Sequence, residues 1–236
     1  MQLRLDILIS HPMKTHSVKV YQIKLSYNAI YYQTLFQSLN DLEGNYLKKY
    51  KDFNRRYESL IALMVSKYIA KKEGFKPKTF LHNQQGKPIL EGFDGAISVA
   101  HIDGYVVVAI SNSLHQLGID IEYYVPSNVD YSVFMTRNEQ LLQIEGLTEI
   151  EKVTTLWTLK EAYVKYKGTG FLLDPLNLEF MYRDKNWYIQ QQQLYAYSFK
   201  MQSDRVLSLV ADQPISIIWS GIEEQSLLNG TLTHLK

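Results

Sequence analysis

Two acidic stretches hold the residue types and spacings from which chemistry can be built. In the first, Leu117, Ile119 and Ile121 alternate with Gly118, Asp120 and Glu122. This period of two predicts a strand with aliphatics on one face and both carboxylates on the other. Two neighbouring carboxylates repel, so a strand presenting both calls for a cation. Oxygen ligands with no His or Cys beside them favour Mg²⁺ over zinc. The second stretch runs from Trp157 to Lys165 and is closed by Gly168-Thr169-Gly170. Thr148-Glu149-Ile150-Glu151 is a capping-box pattern that starts a helix, and Gly168 is placed to stop it. On that helix Val153, Leu156, Trp157, Lys160, Tyr163 and Val164 share one face. Lys160 therefore lies inside an apolar stripe, where a charge needs a partner, either a carboxylate from another segment or a bound anion. Glu161 points to the flank, with Lys165 one turn further on. That pair reads either as an ordinary surface pair or, with Lys160, as a site for a metal-bound phosphate.

The elements that must position these groups are legible around them. Leu3 to Ile9 and Val18 to Leu25 read as strands, and Ile30 to Leu39 as a helix. From Leu47 the composition turns basic, with Lys48, Lys49, Lys51, Arg55 and Arg56 against Asp52. This is a solvated face or an anion-binding patch. Tyr57, Leu60, Ile61, Met64, Val65, Tyr68 and Ile69 recur at helical spacing and predict a core helix ending before Gly74 and Pro77. Thr79 to His82 is a short strand, and Gly86-Lys87-Pro88 a turn. Ala96 to Ala100 and Tyr105 to Ile110 are apolar strands flanking Asp103-Gly104, a hairpin signal. His101 sits where strand meets turn. Asp130 to Ile144 is read as helical. Beyond Leu176 five β-like segments follow, and Leu227 to Lys236 shows no pattern.

Composition narrows the class. A chain of 236 residues with 46% hydrophobic residues permits one large domain or two small ones. The net charge of +1 gives no drive toward nucleic acid or anionic membrane. The absence of cysteine excludes disulfides, thiolate metal sites and cysteine nucleophiles. Met1 to Ser10 reads as a strand rather than a signal peptide. No apolar run is long enough to span a bilayer. A soluble cytoplasmic protein is expected.

Taken together, Gly118-Ile119-Asp120-Ile121-Glu122, the Trp157–Lys165 stretch and Gly168-Thr169-Gly170 resemble the 4′-phosphopantetheinyl transferase superfamily, in its surfactin-synthetase-activating (Sfp-type) branch. The resemblance runs from near Lys48 to the strands after Val206. It implies an α+β fold of two similar α/β halves in a pseudo-twofold arrangement, residues 1–112 and 113–236, with the active site in the cleft between them. A coarse repeat of strands, long helix and strands is compatible with this, breaking near Ser111 to Gln116.

The implied reaction is Mg²⁺-dependent transfer of 4′-phosphopantetheine from coenzyme A to a serine of an apo acyl or peptidyl carrier protein, releasing adenosine 3′,5′-bisphosphate. By the same resemblance Asp120, Glu122 and Glu161 hold Mg²⁺. Lys160 and Lys165 neutralise phosphate charge, and Glu139 or a water on the metal is the base. Arg56, then Arg55 and Lys48, bind the 3′-phosphate. Lys87 and Pro88 lie against adenine, and His101 contacts a phosphate. The family carries hydroxyl residues on both sides of that histidine, whereas this chain has Ala100 and Ile102. A chain of two halves needs no second copy to complete its cleft, so a monomer is expected. Two other classes fit the carboxylates. One is a different Mg²⁺-dependent phosphoryl or nucleotide hydrolase, which leaves His101 and the Gly-Lys-Pro turn unexplained. The other is a non-catalytic coenzyme A or carrier-binding protein.

Overall fold

The computed structural model describes residues 15–232 apart from 127, 171–172, 190–191 and 203. The strand expected over Leu3 to Ile9 lies outside the described residues. The fold is mixed α+β. The first sheet holds β1 (His16–Lys24), β4 (Ala96–Ile102), β5 (Tyr105–Ser111) and β11 (Ile215–Gly221), in the order β11-β1-β5-β4. The second holds β6 (Leu117–Tyr123), β7 (Phe180–Arg183), β8 (Asn186–Ile189), β9 (Tyr195–Met201) and β10 (Arg205–Ala211), in the order β6-β10-β9-β8-β7. A two-stranded ribbon joins β2 (Phe80–His82) to β3 (Pro88–Leu90).

Both sheets are wound alike. A first strand (β1 or β6) leads through a long helix and returns to strands of its own sheet, two in the first and four in the second. The last of these (β5 or β10) lies antiparallel between the first strand and its own predecessor. The long helices are α3 (Phe53–Lys72) and α5 (Glu149–Lys167). One connection breaks the pattern. After β10 the chain crosses to the first sheet, where β11 runs parallel to β1. The helix α6 (Glu224–Leu232) then buries Leu227 in the core of that sheet, where no pattern was expected from the sequence. Glu224 accepts hydrogen bonds from Ser26 there.

Strand alternation makes three cores out of this topology. On β5, Val106, Val108 and Ile110 face α3, whereas Val107 and Ala109 face the second sheet. On β6, Leu117, Ile119 and Ile121 join that middle core. The outer face of the second sheet packs on α5 through Val153, Leu156, Leu159 and Ala162. The layers are therefore helix, sheet, sheet, helix, and the helical stripe read on α3 is the innermost part of its core. Each such aliphatic side chain withdrawn from water contributes about 1.5–3 kcal/mol. Ile119 N–H points away from β10 and donates to Ser98 Oγ on β4 at 3.0 Å, so the edge of the second sheet lies against the edge of the first. No helix among the described residues is long and apolar enough to cross a membrane.

The segment expected as one helix over Asp130 to Ile144 is broken. It holds a 3₁₀ turn at Tyr131–Val133 and a short helix, α4 (Arg137–Leu141), started by a Thr136 cap. In the basic region the sequence reading missed a helix, α2 (Asp41–Lys48), capped by Asn40. A further short helix, α1 (Ala29–Phe36), precedes it.

Candidate active site

Gly118 decides how the two acidic stretches meet. A Cβ there would stand 1.9 Å from the carbonyl oxygen of Ala162 and 2.5 Å from Tyr166 N. Only a residue without a side chain lets α5 lie on the backbone of β6. The helix is fixed in that seat by Thr158, hydrogen-bonded to Ser208 of β10 at 2.7 Å, and by Thr154, which accepts from Val125 N–H. Its start is the capping box of Thr148 and Glu151. Its end is Gly168, whose φ of +67° is the left-handed conformation that suits glycine.

Asp120 and Glu122 share the face of Gly118 and so look onto α5. Asp120 is buried, and its Oδ1 accepts from Lys165 Nζ at 2.7 Å. Its Oδ2 is also buried and has no partner. Burial pushes Asp120 up, opposed by Lys165. Glu122 is pushed up to about 7 by burial and then by Asp120, with Lys165 and the Trp157 indole N–H pulling the other way. Glu161 is raised by burial and by Asp120. Three carboxylates thus face one ammonium. Among the described residues they do not converge into a finished ligand set. The unsatisfied oxygen and the surplus of negative charge nevertheless fit a divalent cation that takes oxygen ligands.

Across the junction of β4 and β6 lies a cationic group. Arg55 and His101 approach to 2.6 Å, and Lys165 acts on the same ring. Burial, then Lys165, then Arg55 push His101 down to about 4. The ring is therefore neutral at pH 7 and accepts from the guanidinium. With 40% of its side chain exposed, it remains open to a ligand. An anion bound here would offset both cationic influences. Behind the pair sits Glu58, nearly buried, 3.3 Å from Arg55 and 3.5 Å from His101. Tyr27, itself at φ +51°, donates to Glu58 and accepts from Gly104 N–H. Glu58 and Tyr27 were not singled out in the sequence. Nothing in their spacing marks them, because the hairpin and α3 bring them together.

The other sequence-chosen residues fall in several places. Arg56 turns back to the carbonyl of Tyr50 at 3.3 Å, so Arg55, not Arg56, reaches His101. Lys48 is exposed at the end of α2, and Lys49 lies over the rings of Tyr46 and Tyr50. Lys87 reaches the end of α5 and donates to the carbonyl of Tyr166 at 2.8 Å, beside Gly168. Pro88 opens β3, half-buried. Glu139 and Lys160 meet each other at 2.7 Å, on the face of α5 that packs into its core.

Residues 116–218 match the family model of the 4′-phosphopantetheinyl transferase superfamily. The matched span contains the carboxylate strand, α5 and the whole second sheet. Over 146 residues the chain is 34% identical to the 4′-phosphopantetheinyl transferase gsp of Aneurinibacillus migulanus. That alignment covers 58% of this chain, and the chain spans 58% of the relative's length.

Proposed function

We propose that this protein transfers 4′-phosphopantetheine from coenzyme A to a serine hydroxyl of an apo carrier protein, releasing adenosine 3′,5′-bisphosphate. The observation that carries the reading is the opposition of two charge groups across the β4–β6 junction. On one side Asp120, Glu122 and Glu161 hold more negative charge than Lys165 offsets. On the other, the exposed Arg55 guanidinium stands against the neutral, half-open His101 ring. A polyanion held together with a divalent cation satisfies both. The superfamily match and the relative's printed activity support the same substrate class.

Asp120, Glu122 and Glu161 would hold Mg²⁺. When bound, it supplies charge neutralisation to the pyrophosphate, the main requirement of phosphoryl transfer. Arg55 and His101 bind a phosphate of coenzyme A, with Arg56 and Lys48 in the neighbouring basic segment. Glu58 holds Arg55 and the ring in place. Lys165, 30% exposed, swings from Asp120 toward the leaving bisphosphate as charge builds there. Lys87 and Pro88 close the adenine side by fastening the β2–β3 ribbon to the end of α5.

The test is mass spectrometry of apo acyl and peptidyl carrier proteins after incubation with this protein, coenzyme A and Mg²⁺. A gain of one phosphopantetheine, with adenosine 3′,5′-bisphosphate released only when a carrier is present, is expected. Release of nucleotide without a carrier would assign a hydrolase instead. Coenzyme A binding with no turnover on any carrier would assign a binding protein.

A further inference from the structure

Glu139 has no exposed surface, although the two residues before it, Arg137 and Asn138, are exposed. It is the third residue of α4, and its carboxylate bonds back to the Thr136 N–H at 2.8 Å. The same carboxylate accepts from the Phe180 N–H at 2.9 Å, at the start of β7, and from Lys160 of α5. The Thr136 hydroxyl reaches the side chain of Glu179, the residue before Phe180.

The first half repeats this set member by member. Glu43 is the third residue of α2, has no exposed surface and bonds back to its cap, the Asn40 N–H. It accepts from the Phe80 N–H at 2.8 Å, at the start of β2, and from Lys67 of α3 at 2.9 Å. The Asn40 side chain reaches the side chain of Thr79, the residue before Phe80. In each half a capped short helix buries a glutamate that ties the long helix to the first residue of the following strand.

The first-half copy stands where no metal chemistry is available. Its counterpart of β6 is β1, His16–Lys24, which carries no carboxylate. The device therefore exists apart from the carboxylate site. In the second half its geometry leaves nothing over for a substrate. Lys160 has three N–H donors and is 2% exposed. Four oxygens surround it, from Glu139, Phe134, Pro175 and Leu178, at 2.7–2.8 Å. An acceptor hydroxyl cannot reach Glu139 while α4 is folded.

We infer that Glu139–Lys160 and Glu43–Lys67 are two copies of one helix-fastening pair, and that Glu139 and Lys160 are positioning residues for α5 rather than base and phosphate ligand. Their role in turnover is to hold Glu161 and Lys165 opposite Asp120. This inference rests on the transferase reading for its kinetic consequences, but its stability consequences do not.

The test compares Glu139→Gln, Lys160→Met and the double variant with Glu43→Gln, Lys67→Met and their double variant. Each single change strands a buried partner, and a Tm loss on the order of 10 °C is expected. The losses should be smaller in the Lys67 set, because that ammonium is 23% exposed. Each double variant should recover at least half of the loss. Glu139→Gln/Lys160→Met should keep kcat within about tenfold of wild type. Glu139→Gln should keep the acid limb of the kcat/KM pH profile and raise the half-saturating Mg²⁺ concentration several-fold. The Glu43 set should leave that concentration unchanged, since α3 carries no metal carboxylate. A well-folded double variant with kcat reduced a thousandfold, or loss of the acid limb in Glu139→Gln, would overturn the inference. A double variant no more stable than its worse single, or thermally neutral Glu43 and Lys67 changes, would overturn it too. A wild type inactive on every carrier would count against the transferase reading, and the Tm pattern would still decide the pairing.

Discussion

Replacing Gly118 by alanine adds one methyl group and tests how the site is assembled. The new Cβ would meet the Ala162 carbonyl oxygen at 1.9 Å, and ordinary contact begins near 3.4 Å. The helix or the strand must give by the difference, about 1.5 Å. The obstructing atoms are backbone, so no side chain can swing aside. Overpacking of this kind costs about 1–3 kcal/mol. For a chain of this size that lowers Tm by roughly 2–12 °C. The larger effect falls on chemistry. Ala162 follows Glu161, and Lys165 lies less than one turn beyond it. Retreat of α5 by 1.5 Å would therefore stretch the 2.7 Å Lys165–Asp120 contact past hydrogen-bonding distance. A misplacement of about 1 Å can cost about a hundredfold, so kcat/KM on a carrier protein should fall by at least that factor while the protein stays folded. Differential scanning fluorimetry and carrier modification followed by mass give both quantities. A Gly118→Ala protein with wild-type Tm and wild-type kcat/KM would show that α5 does not seat on β6, and the site would have to be redrawn.

Three further outcomes follow from the charges. Glu122 is held near 7 in the folded chain against an ordinary value near 4.5, so the folded state binds the extra proton and metal-free stability should fall as pH rises through that window. Mg²⁺ competes with that proton, so its Tm increment should be larger at pH 8 than at pH 5; equal increments would refute a cation at Glu122. Arg55→Gln should raise KM for coenzyme A by about tenfold to a hundredfold, the equivalent of one charge-assisted contact of about 1.5–3 kcal/mol. Arg56→Gln should raise it far less, and the reverse ranking would move the phosphate site along α3. Lys87→Met removes the donor at the Tyr166 carbonyl and should lower Tm by a few degrees, about 1 kcal/mol; an unchanged Tm would mean that the latch carries no load.

The carboxylate strand was legible because alternation alone sorts its two faces, and α5 because both its ends carry capping signals. The approach of the two was not legible, although Gly118 stood in the motif, because a missing Cβ shows its use only when a helix lies on it. Arg56 was preferred over Arg55 because their order along the sequence does not say which faces β4. That depends on the turn at which α3 starts, set by Asp52 accepting from Arg55 N–H. The partner of Lys160 had a readable signal. Thr136-Arg137-Asn138-Glu139 has the same capping spacing as Thr148 to Glu151, and Asn40 to Glu43 is close to it. Reading Asp130 to Ile144 as one helix hid it, and Glu139 was left available for a chemical role. The β11 crossover had no local signal, since a strand's own sequence does not name the sheet it joins.

The most direct measurement is single-turnover modification of an apo carrier protein by wild type and by Asp120→Asn, at saturating coenzyme A and Mg²⁺, with Tm recorded for both. The substitution keeps the shape of the side chain but removes the charge at the buried, unpartnered oxygen. Wild type should add one phosphopantetheine per carrier, while Asp120→Asn should remain folded and add essentially none. Full transfer by a folded Asp120→Asn protein would contradict a cation-assisted site at β6 and α5.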